Sequence, residues 1–274
     1  VVSYDLDGAP LGQLVLYGGE TPTEYRVLLG ALTAGDHVIG PQACFGSCRW
    51  ILTNWFPRYG IETSVVPGAD TQAWRNAVRP NTKLFFFETP ANPTMDVVDI
   101  RGVSAIARAH GIRTVVDNAF ASSALQRPLD LGADVVAYAA TKLMDGQGRV
   151  LAGAVCGDAD FINNVLLPYQ RNTGPTLAPF NAWVVLKGME TLGIRMEAQS
   201  VRALELARWL EAHPRVERVY YPGLESHPQH SLAREQMTGF GGVVAVRIAG
   251  GYAGASRFVS RLKLFTHAVS LGGV

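Results

Sequence analysis

The chain has 274 residues, of which 48% are hydrophobic and 17% charged, and its 24 basic and 23 acidic side chains leave a formal net charge of +1. A near-neutral chain without runs of like charge lacks the electrostatic field that holds nucleic acid or a membrane surface. Its longest apolar runs, at residues 84–87 and 135–140, are far shorter than the roughly 20 residues that span a bilayer. These properties favour a globular protein with a small-molecule ligand, without nucleic acid and without a membrane span.

Short apolar runs alternate with amphipathic segments over the first part of the chain. The runs are bounded by Gly, Pro or Asp and do not alternate in polarity, which is typical of strands buried on both faces of a mostly parallel sheet. They predict strands over residues 14–17, 37–40, 64–67, 84–88, 113–117, 135–140 and 152–157. The amphipathic segments predict helices over residues 47–56, 70–78, 100–110 and 159–167. This alternation indicates a doubly wound α/β fold.

The pattern changes after Pro179 to a long helical stretch over residues 180–212, with interruptions near Gly188 and Gly193. The remainder predicts strands over residues 216–220, 242–248 and 264–270, and a helix over residues 253–262. We therefore predict a large α/β domain over residues 1–193 and a small C-terminal α+β domain over residues 194–274. We expect the last elements of this small domain to be missing from the chain.

Three cysteines, Cys44, Cys48 and Cys156, are an odd number with no second pair for a disulfide framework. Cys44 and Cys48 lie four residues apart, but two thiols without nearby histidines do not make a zinc site. We predict no metal site and a reducing, cytoplasmic location.

Two ionisable residues close apolar strands of the predicted sheet. Asp117 ends one strand, and Lys142 follows the apolar run at residues 135–140. In open α/β sheets ligands bind beyond the carboxyl ends of the strands, so the carboxylate and the amine face one cleft. A buried ion pair or a helix cap would also explain them. However, an amine that forms imines and a carboxylate that keeps a pyridine nitrogen protonated are the pair that pyridoxal phosphate chemistry requires.

An ordered series of motifs surrounds this pair and resembles the Cys/Met-metabolism family of pyridoxal-phosphate enzymes. The motifs lie at residues 34–38, 45–49, 87–94, 115–118, 131–134, 140–142, 145–151, 172–175 and 180–183. The form of residues 145–150, Asp-Gly-Gln-Gly-Arg-Val, is similar to the O-succinylhomoserine sulfhydrylase branch. The resemblance implies the fold-type-I architecture of PLP-dependent transferases, pyridoxal 5'-phosphate as cofactor, and a homodimer or homotetramer.

The resemblance also implies site residues. Lys142 would bond covalently to the cofactor and move protons, and Asp117 would pair with the pyridine nitrogen. Phe45 would stack on the ring, Asn92 would bind near the ring hydroxyl, and Thr141 would contact the phosphate. Phe45 could equally be core, and Asn92 could simply begin a turn.

Two further site residues follow from the resemblance, Ser270 near the reactive lysine and Tyr4 toward the phosphate of a neighbouring subunit. Several phosphate-binding groups of the family are replaced here. Leu6, Glu20 and Ala139 stand where an arginine, a glycine and a serine are expected.

The implied activity is γ-replacement on an O-acylated homoserine, in which sulfide enters and homocysteine leaves. Two alternatives remain open. One is γ-elimination by a related cystathionine or methionine γ-lyase, which shares the same chemistry up to the arrival of the nucleophile. The other is a non-catalytic homologue with an altered phosphate site that acts as a structural or interaction protein.

Overall fold

A mostly parallel eight-stranded sheet forms the centre of the protein. The computed structural model describes residues 2–4, 10–18, 23–268 and 270–273, with only the backbone at residues 2–4 and 10–18. The strands of the sheet, in chain order, are β1 (Val2–Tyr4), β2 (Pro10–Gly18), β3 (His37–Pro41), β4 (Glu62–Val66), β5 (Thr82–Glu88), β6 (Arg113–Asp117), β7 (Val135–Tyr138) and β8 (Ala152–Gly157). Their spatial order is β1-β2-β8-β7-β6-β5-β3-β4, and β7, β6, β5, β3 and β4 run parallel. The predicted α/β fold is confirmed.

Alternate residues of the central strands pack against helices on opposite faces of the sheet. Leu84, Phe86 and Val115 belong to one buried cluster, whereas Phe85 and Phe87 belong to another. Three helical segments cover the first face. The first is α1 (Thr23–Ala31), and the second is α2 (Gly46–Trp50), which continues as a π-helix and a 3-10 turn to Tyr59. The third is α6 (Ala159–Phe161), which continues through a second π-helix into α7 (Leu167–Thr173). The second face is covered by α3 (Thr71–Asn76) and α4 (Ile100–Ala109). Helices therefore shield both faces of the sheet from water, as expected for strands whose residues are apolar on both sides.

The later part of the chain is mainly helical. Its helices are α8 (Pro179–Met189), α9 (Leu192–Glu211), α10 (His230–Gln236) and α11 (Gly251–Val259), and a short α5 (Ser122–Leu125) lies earlier. An antiparallel pair, β9 (Val216–Tyr220) and β10 (Ala245–Ile248), forms a second sheet. The predicted break in the long helix is confirmed, because α8 ends and α9 begins between Gly188 and Gly193. The division into domains at residue 193 stays a prediction.

The strand predicted over residues 264–270 is wrong for the described residues 264–268 and 270, which have no regular structure. The apolar side chains that suggested it, Leu264 and Phe265, are 89% and 62% exposed. An apolar run forms a buried strand only where a neighbouring strand is present to pair with it. No helix in the described part of the chain combines the length and apolar character needed to cross a bilayer.

Two glycines allow close contacts between helices and the backbone of the sheet or of its loops. A Cβ atom built on Gly153 in β8 would lie 1.7 Å from Oγ1 of Thr23 at the start of α1. A Cβ atom built on Gly188 in α8 would lie 2.4 Å from the carbonyl oxygen of Met144 and 2.5 Å from that of Asp145. Helix α8 therefore packs directly on the backbone that follows Lys142.

We expect the substitution Gly188→Ala to lower the free energy of unfolding by about 1–3 kcal/mol, because the new methyl group meets backbone atoms that cannot rotate away. Gly193 in α9 provides a matched control, since a Cβ atom there meets nothing within 4 Å. Gly193→Ala should leave stability unchanged or raise it by up to about 1 kcal/mol. Denaturant unfolding measures both. Equal stability of the two variants would contradict the tight contact at Gly188.

Candidate active site

Two carboxylates lie side by side at the carboxyl edge of the sheet. Glu88 ends β5 and Asp117 ends β6, and the register of these parallel strands pairs the two residues directly. They are 2% and 4% exposed. Because neighbouring strands are about 4.8 Å apart, two paired carboxyl groups repel each other when both are ionised. Burial, together with the negative charges of Glu24 and of its paired neighbour, raises the pKa of Asp117.

Lys142 lies in the loop that follows β7, next to β6 in the sheet. The loop is held by hydrogen bonds from Lys142 N to Ala139 O at 2.9 Å and from Gly146 N to Lys142 O at 2.8 Å. Burial lowers the pKa of the Lys142 amine, and the negative charge of Asp117 is the largest opposing influence. The structure therefore brings together the amine and the carboxylate that the sequence predicted.

A second set of bonds fixes the loop after Lys142 from outside. The carboxylate of Asp145, which is fully buried, forms an ion pair with Arg149 at 2.8 Å. Arg195 of α9 donates to the carbonyl oxygen of Leu143 and to that of Gly188, each at 2.8 Å. These contacts bind the lysine loop to α8 and α9, so the position of Lys142 depends on the helices after the sheet.

Ser270 lies against Lys142, as the family resemblance implied. The Lys142 ammonium donates to the hydroxyl oxygen of Ser270 at 3.2 Å. Gly272 has a positive φ of 94°, and a Cβ atom there would lie 2.7 Å from the carbonyl carbon of Lys142. Only glycine allows this close passage of the chain.

Glu88 organises two of the loops around the cleft. Its carboxylate accepts a hydrogen bond from the backbone N–H of Phe45 at 2.7 Å and another from that of Asn92 at 3.1 Å. Burial raises the pKa of Glu88 to about 8, although these two N–H groups act in the other direction. Glu88 was not among the predicted site residues, although it carries the same signal as Asp117, a polar residue that closes an apolar strand.

The remaining predicted residues occupy different places. Phe45 is half-buried beside the first core cluster, and none of the described aromatic rings stacks on it. Asn92 is half-buried in the loop after β5. The hydroxyl of Thr141 donates to Ala152 O at 3.2 Å and accepts from Ala152 N at 2.8 Å, so it ties the lysine loop to β8. The side chain of Tyr4, and the replaced positions Leu6 and Glu20, lie outside the described residues.

A third buried carboxyl group comes from α1. Glu24 is 3% exposed, and its Oε1 atom has no hydrogen-bond partner in the described structure. Its Oε2 atom lies 4.0 Å from the thiol of Cys48. Its charge acts on Lys142, Asp117 and Glu88. A buried glutamate in a helix carries no signal in the sequence, because only tertiary packing brings it to this cleft.

The cleft has two of the groups that pyridoxal phosphate needs, a buried carboxylate for the ring nitrogen and an amine. One oxygen of Asp117 accepts from Ala119 N at 3.0 Å, while the other has no hydrogen-bond partner among the described residues. This buried carboxylate lacks a direct cationic partner, which a protonated pyridine nitrogen supplies. Lys142 provides an amine of lowered pKa nearby. No group of three or more His, Cys, Asp or Glu side chains in the described ranges is arranged to hold a metal ion.

Comparisons with known proteins agree with this fit. A sequence model of the family described as "Cys/Met metabolism PLP-dependent enzyme" matches residues 6–274. The chain is 48% identical over 246 residues to an O-succinylhomoserine sulfhydrylase of Pseudomonas aeruginosa, covering 90% of this chain and 61% of that protein. It is 41% identical over 268 residues to an L-methionine gamma-lyase of Porphyromonas gingivalis, covering 94% and 67%. The crystal structure of metB from Corynebacterium glutamicum superposes with a TM-score of 0.91 at 34% identity, covering 95% and 68%.

We expect Glu88→Gln to lower the free energy of unfolding by about 1–3 kcal/mol in acid, because its amide nitrogen cannot accept from Phe45 N or Asn92 N. The pKa of Glu88 is raised from 4.5 to about 8, so its ionisation costs the wild-type chain stability as the pH rises through that interval. The variant lacks this loss of stability, so the difference between the two free energies of unfolding should shrink as the pH rises from 4.5 and change sign before pH 8.

Urea unfolding at several pH values measures this difference. The matched control is Glu62→Gln, because Glu62 is half exposed and pairs with Arg79 on the surface. It should change stability by less than about 1 kcal/mol. Unchanged stability of Glu88→Gln in acid would contradict the role of Glu88 in holding the two loops.

Proposed function

The chain belongs to the Cys/Met-metabolism family of PLP-dependent enzymes and shares their fold-type-I architecture, and we propose that it catalyses γ-replacement on an O-acylated homoserine. The substrate proposed is O-succinylhomoserine, whose Cγ–O bond breaks to release succinate. A Cγ–S bond forms with sulfide to give homocysteine. The observation that carries this choice is the 48% identity to the sulfhydrylase of Pseudomonas aeruginosa, of which the chain spans 61%.

Lys142, Asp117, Phe45 and Asn92 are proposed to hold the cofactor, with Thr141, Ser270 and Tyr4 as further contacts. When bound, pyridoxal phosphate draws electrons away from the bonds at the α-carbon of the amino-acid substrate. The unpartnered oxygen of Asp117 would accept the N–H of the pyridine ring and keep that nitrogen protonated. The half-buried ring of Phe45 offers an apolar face, and the Asn92 amide offers a polar group on the next loop.

Lys142 is the proposed proton carrier. An amine with a lowered pKa is neutral in a larger fraction of molecules, so its Nζ atom can take a proton from a substrate carbon and return it to another. The hydroxyl of Ser270 accepts from Nζ and orients it. The bonds from Arg195 hold the loop, which keeps Nζ within the cleft.

We also propose that the chain assembles with further copies of itself. Helix α8 carries the exposed apolar side chains Phe180, Trp183 and Leu186, which are 69%, 53% and 57% exposed. Contiguous exposed apolar side chains mark protein contacts, and a second copy of the chain is the proposed partner, in a homodimer or homotetramer. A cytoplasmic location remains part of the proposal.

Product analysis tests the reaction. The purified chain, saturated with pyridoxal phosphate, should convert O-succinylhomoserine and sulfide into equal amounts of homocysteine and succinate. The 41% identity to an L-methionine gamma-lyase makes γ-elimination the second candidate. Formation of 2-oxobutanoate and ammonia at the same rate with and without sulfide would favour that candidate. If neither set of products forms, the result contradicts the proposal and favours a non-catalytic homologue.

Two substitutions test the roles of the ionisable pair. Borohydride reduction and peptide mapping should find the cofactor on Lys142, and Lys142→Ala should lose this label. Asp117→Asn should retain cofactor but lose about 10²–10⁴-fold in kcat, because it no longer holds the proton of the ring nitrogen. Asp130→Asn, at an exposed position paired with Arg127, is the control and should keep kcat. Label on another lysine, or full turnover by Asp117→Asn, would disprove these assignments.

A further inference from the structure

The charges buried in the cleft do not balance. Glu24, Glu88 and Asp117 are 3%, 2% and 4% exposed, and Lys142 is the only cationic side chain that acts on all of them among the described residues. If the three carboxyl groups were ionised beside one ammonium group, the cleft would carry a net negative charge. A phosphate group would add up to two more negative charges. Protons that neutralise part of this negative charge favour the binding of such an anion.

Glu24 cannot leave the cleft for solvent without moving its helix. The preceding residue, Thr23, packs on Gly153 of β8 in the space that a Cβ atom would occupy. Val27 and Leu28, on the same helix, are 0% and 1% exposed and belong to the core. The start of α1 is therefore fixed against the sheet, and the Glu24 carboxyl group is fixed with it.

The three carboxyl groups differ in how well their ionised forms are stabilised. Glu88 accepts two backbone N–H bonds, at 2.7 and 3.1 Å, and Asp117 accepts one at 3.0 Å. Glu24 has the thiol of Cys48, a weak donor at 4.0 Å, and a contact with its own backbone N–H, while its Oε1 atom has no partner in the described structure. Hydrogen bonds to a carboxylate favour its ionised form. Of the three groups, Glu24 therefore gains most from a proton.

We propose that Glu24 is the proton-uptake site of the cofactor cleft: it takes one proton from solvent when pyridoxal phosphate binds and stays a neutral carboxylic acid in the loaded protein. The proton compensates for the charge of the entering phosphate. On Glu24 one O–H bond forms, to a proton that solvent gives up, and no bond of Glu24 breaks. The inference rests on the cofactor and does not depend on which reaction follows.

The electrostatic surroundings support the proposal. Burial raises the pKa of Glu24, while a contact with its own backbone N–H and the Lys142 ammonium oppose the shift less strongly. The titratable groups that face Glu24 come from the loop before α2, from α2, from the ends of β5 and β6, and from the loop after β7. They are Cys44, Cys48, Glu88, Asp117 and Lys142. Both thiols have raised pKa values and remain neutral, so they do not compensate the carboxylates.

Cofactor titration of the wild-type chain and of Glu24→Gln tests this directly. Glutamine has the shape of glutamic acid and never ionises. We expect the two dissociation constants to be equal at acid pH, where Glu24 is neutral in both the free and the loaded protein. The wild-type value should then rise relative to the variant, by up to about tenfold per pH unit once Glu24 ionises in the free protein. Calorimetry in two buffers of different ionisation enthalpy, at a pH where the dissociation constants have diverged, should show up to one more proton taken up by the wild-type chain.

Pyridoxal, which lacks the phosphate, isolates the charge that drives the uptake. Protonation at Asp117 and Lys142 is common to both cofactors and both chains, so it cancels in the ratio of dissociation constants. With pyridoxal this ratio should stay close to one at every pH. A ratio that rises equally for pyridoxal would overturn the assignment to the phosphate.

Two further variants complete the design. Glu24→Leu also carries no ionisable proton and should reproduce the flat profile, which covers the case of a poorly folded glutamine variant. Glu62→Gln makes the same chemical change on the surface and should follow the wild-type profile. Parallel profiles and equal proton uptake for the wild-type chain and both Glu24 variants would overturn the proposal. These measurements involve no turnover, so their outcome is independent of the reaction catalysed.

Discussion

The burial of carboxyl groups around a single amine is the constraint on which this structure depends. The register of two neighbouring strands places Glu88 directly beside Asp117, and α1 adds Glu24 above the same face of the sheet. Like charges in a medium of low dielectric constant repel strongly unless protons, hydrogen bonds or a cation intervene. All three ways of reducing this repulsion occur here. Burial raises the pKa of the acids and so favours their protonated forms, backbone N–H groups bond to Glu88, and the Lys142 amine faces all three carboxyl groups.

The surrounding packing keeps this arrangement rigid. Thr23 fits against Gly153, so α1 lies unusually close to β8. On the other side, Arg195 and the buried Asp145 fix the loop after Lys142 to α8 and α9. A carboxyl group that could swing to solvent would simply ionise there. The shifted acids in the cleft therefore depend on glycines and ion pairs that make no direct contact with the amine.

The cleft accounts for the cofactor better than for the outcome of the reaction. Relatives named as a sulfhydrylase and as a methionine gamma-lyase match this chain at 48% and 41% identity. The roles proposed for Lys142, carrying protons, and for Asp117, keeping a ring nitrogen protonated, serve replacement and elimination equally. The choice between them depends on whether sulfide reaches the substrate carbon, which is a property of the whole enzyme, and the chain spans 61% of the Pseudomonas relative.

The sequence by itself determined the α/β fold and two residues at the centre of the site. Apolar strands of the right length fix the sheet, and a polar residue that ends such a strand, as Asp117 does, must lie at its carboxyl edge. Tertiary structure decided the rest. The pairing of Glu88 with Asp117 depends on strand register, the place of Glu24 depends on which face of α1 is buried, and Leu264 and Phe265 remain exposed because no described strand pairs with them. Strand register, the buried face of a helix and strand pairing depend on contacts between segments that are distant in the chain. The local periodicity of the sequence does not predict those contacts.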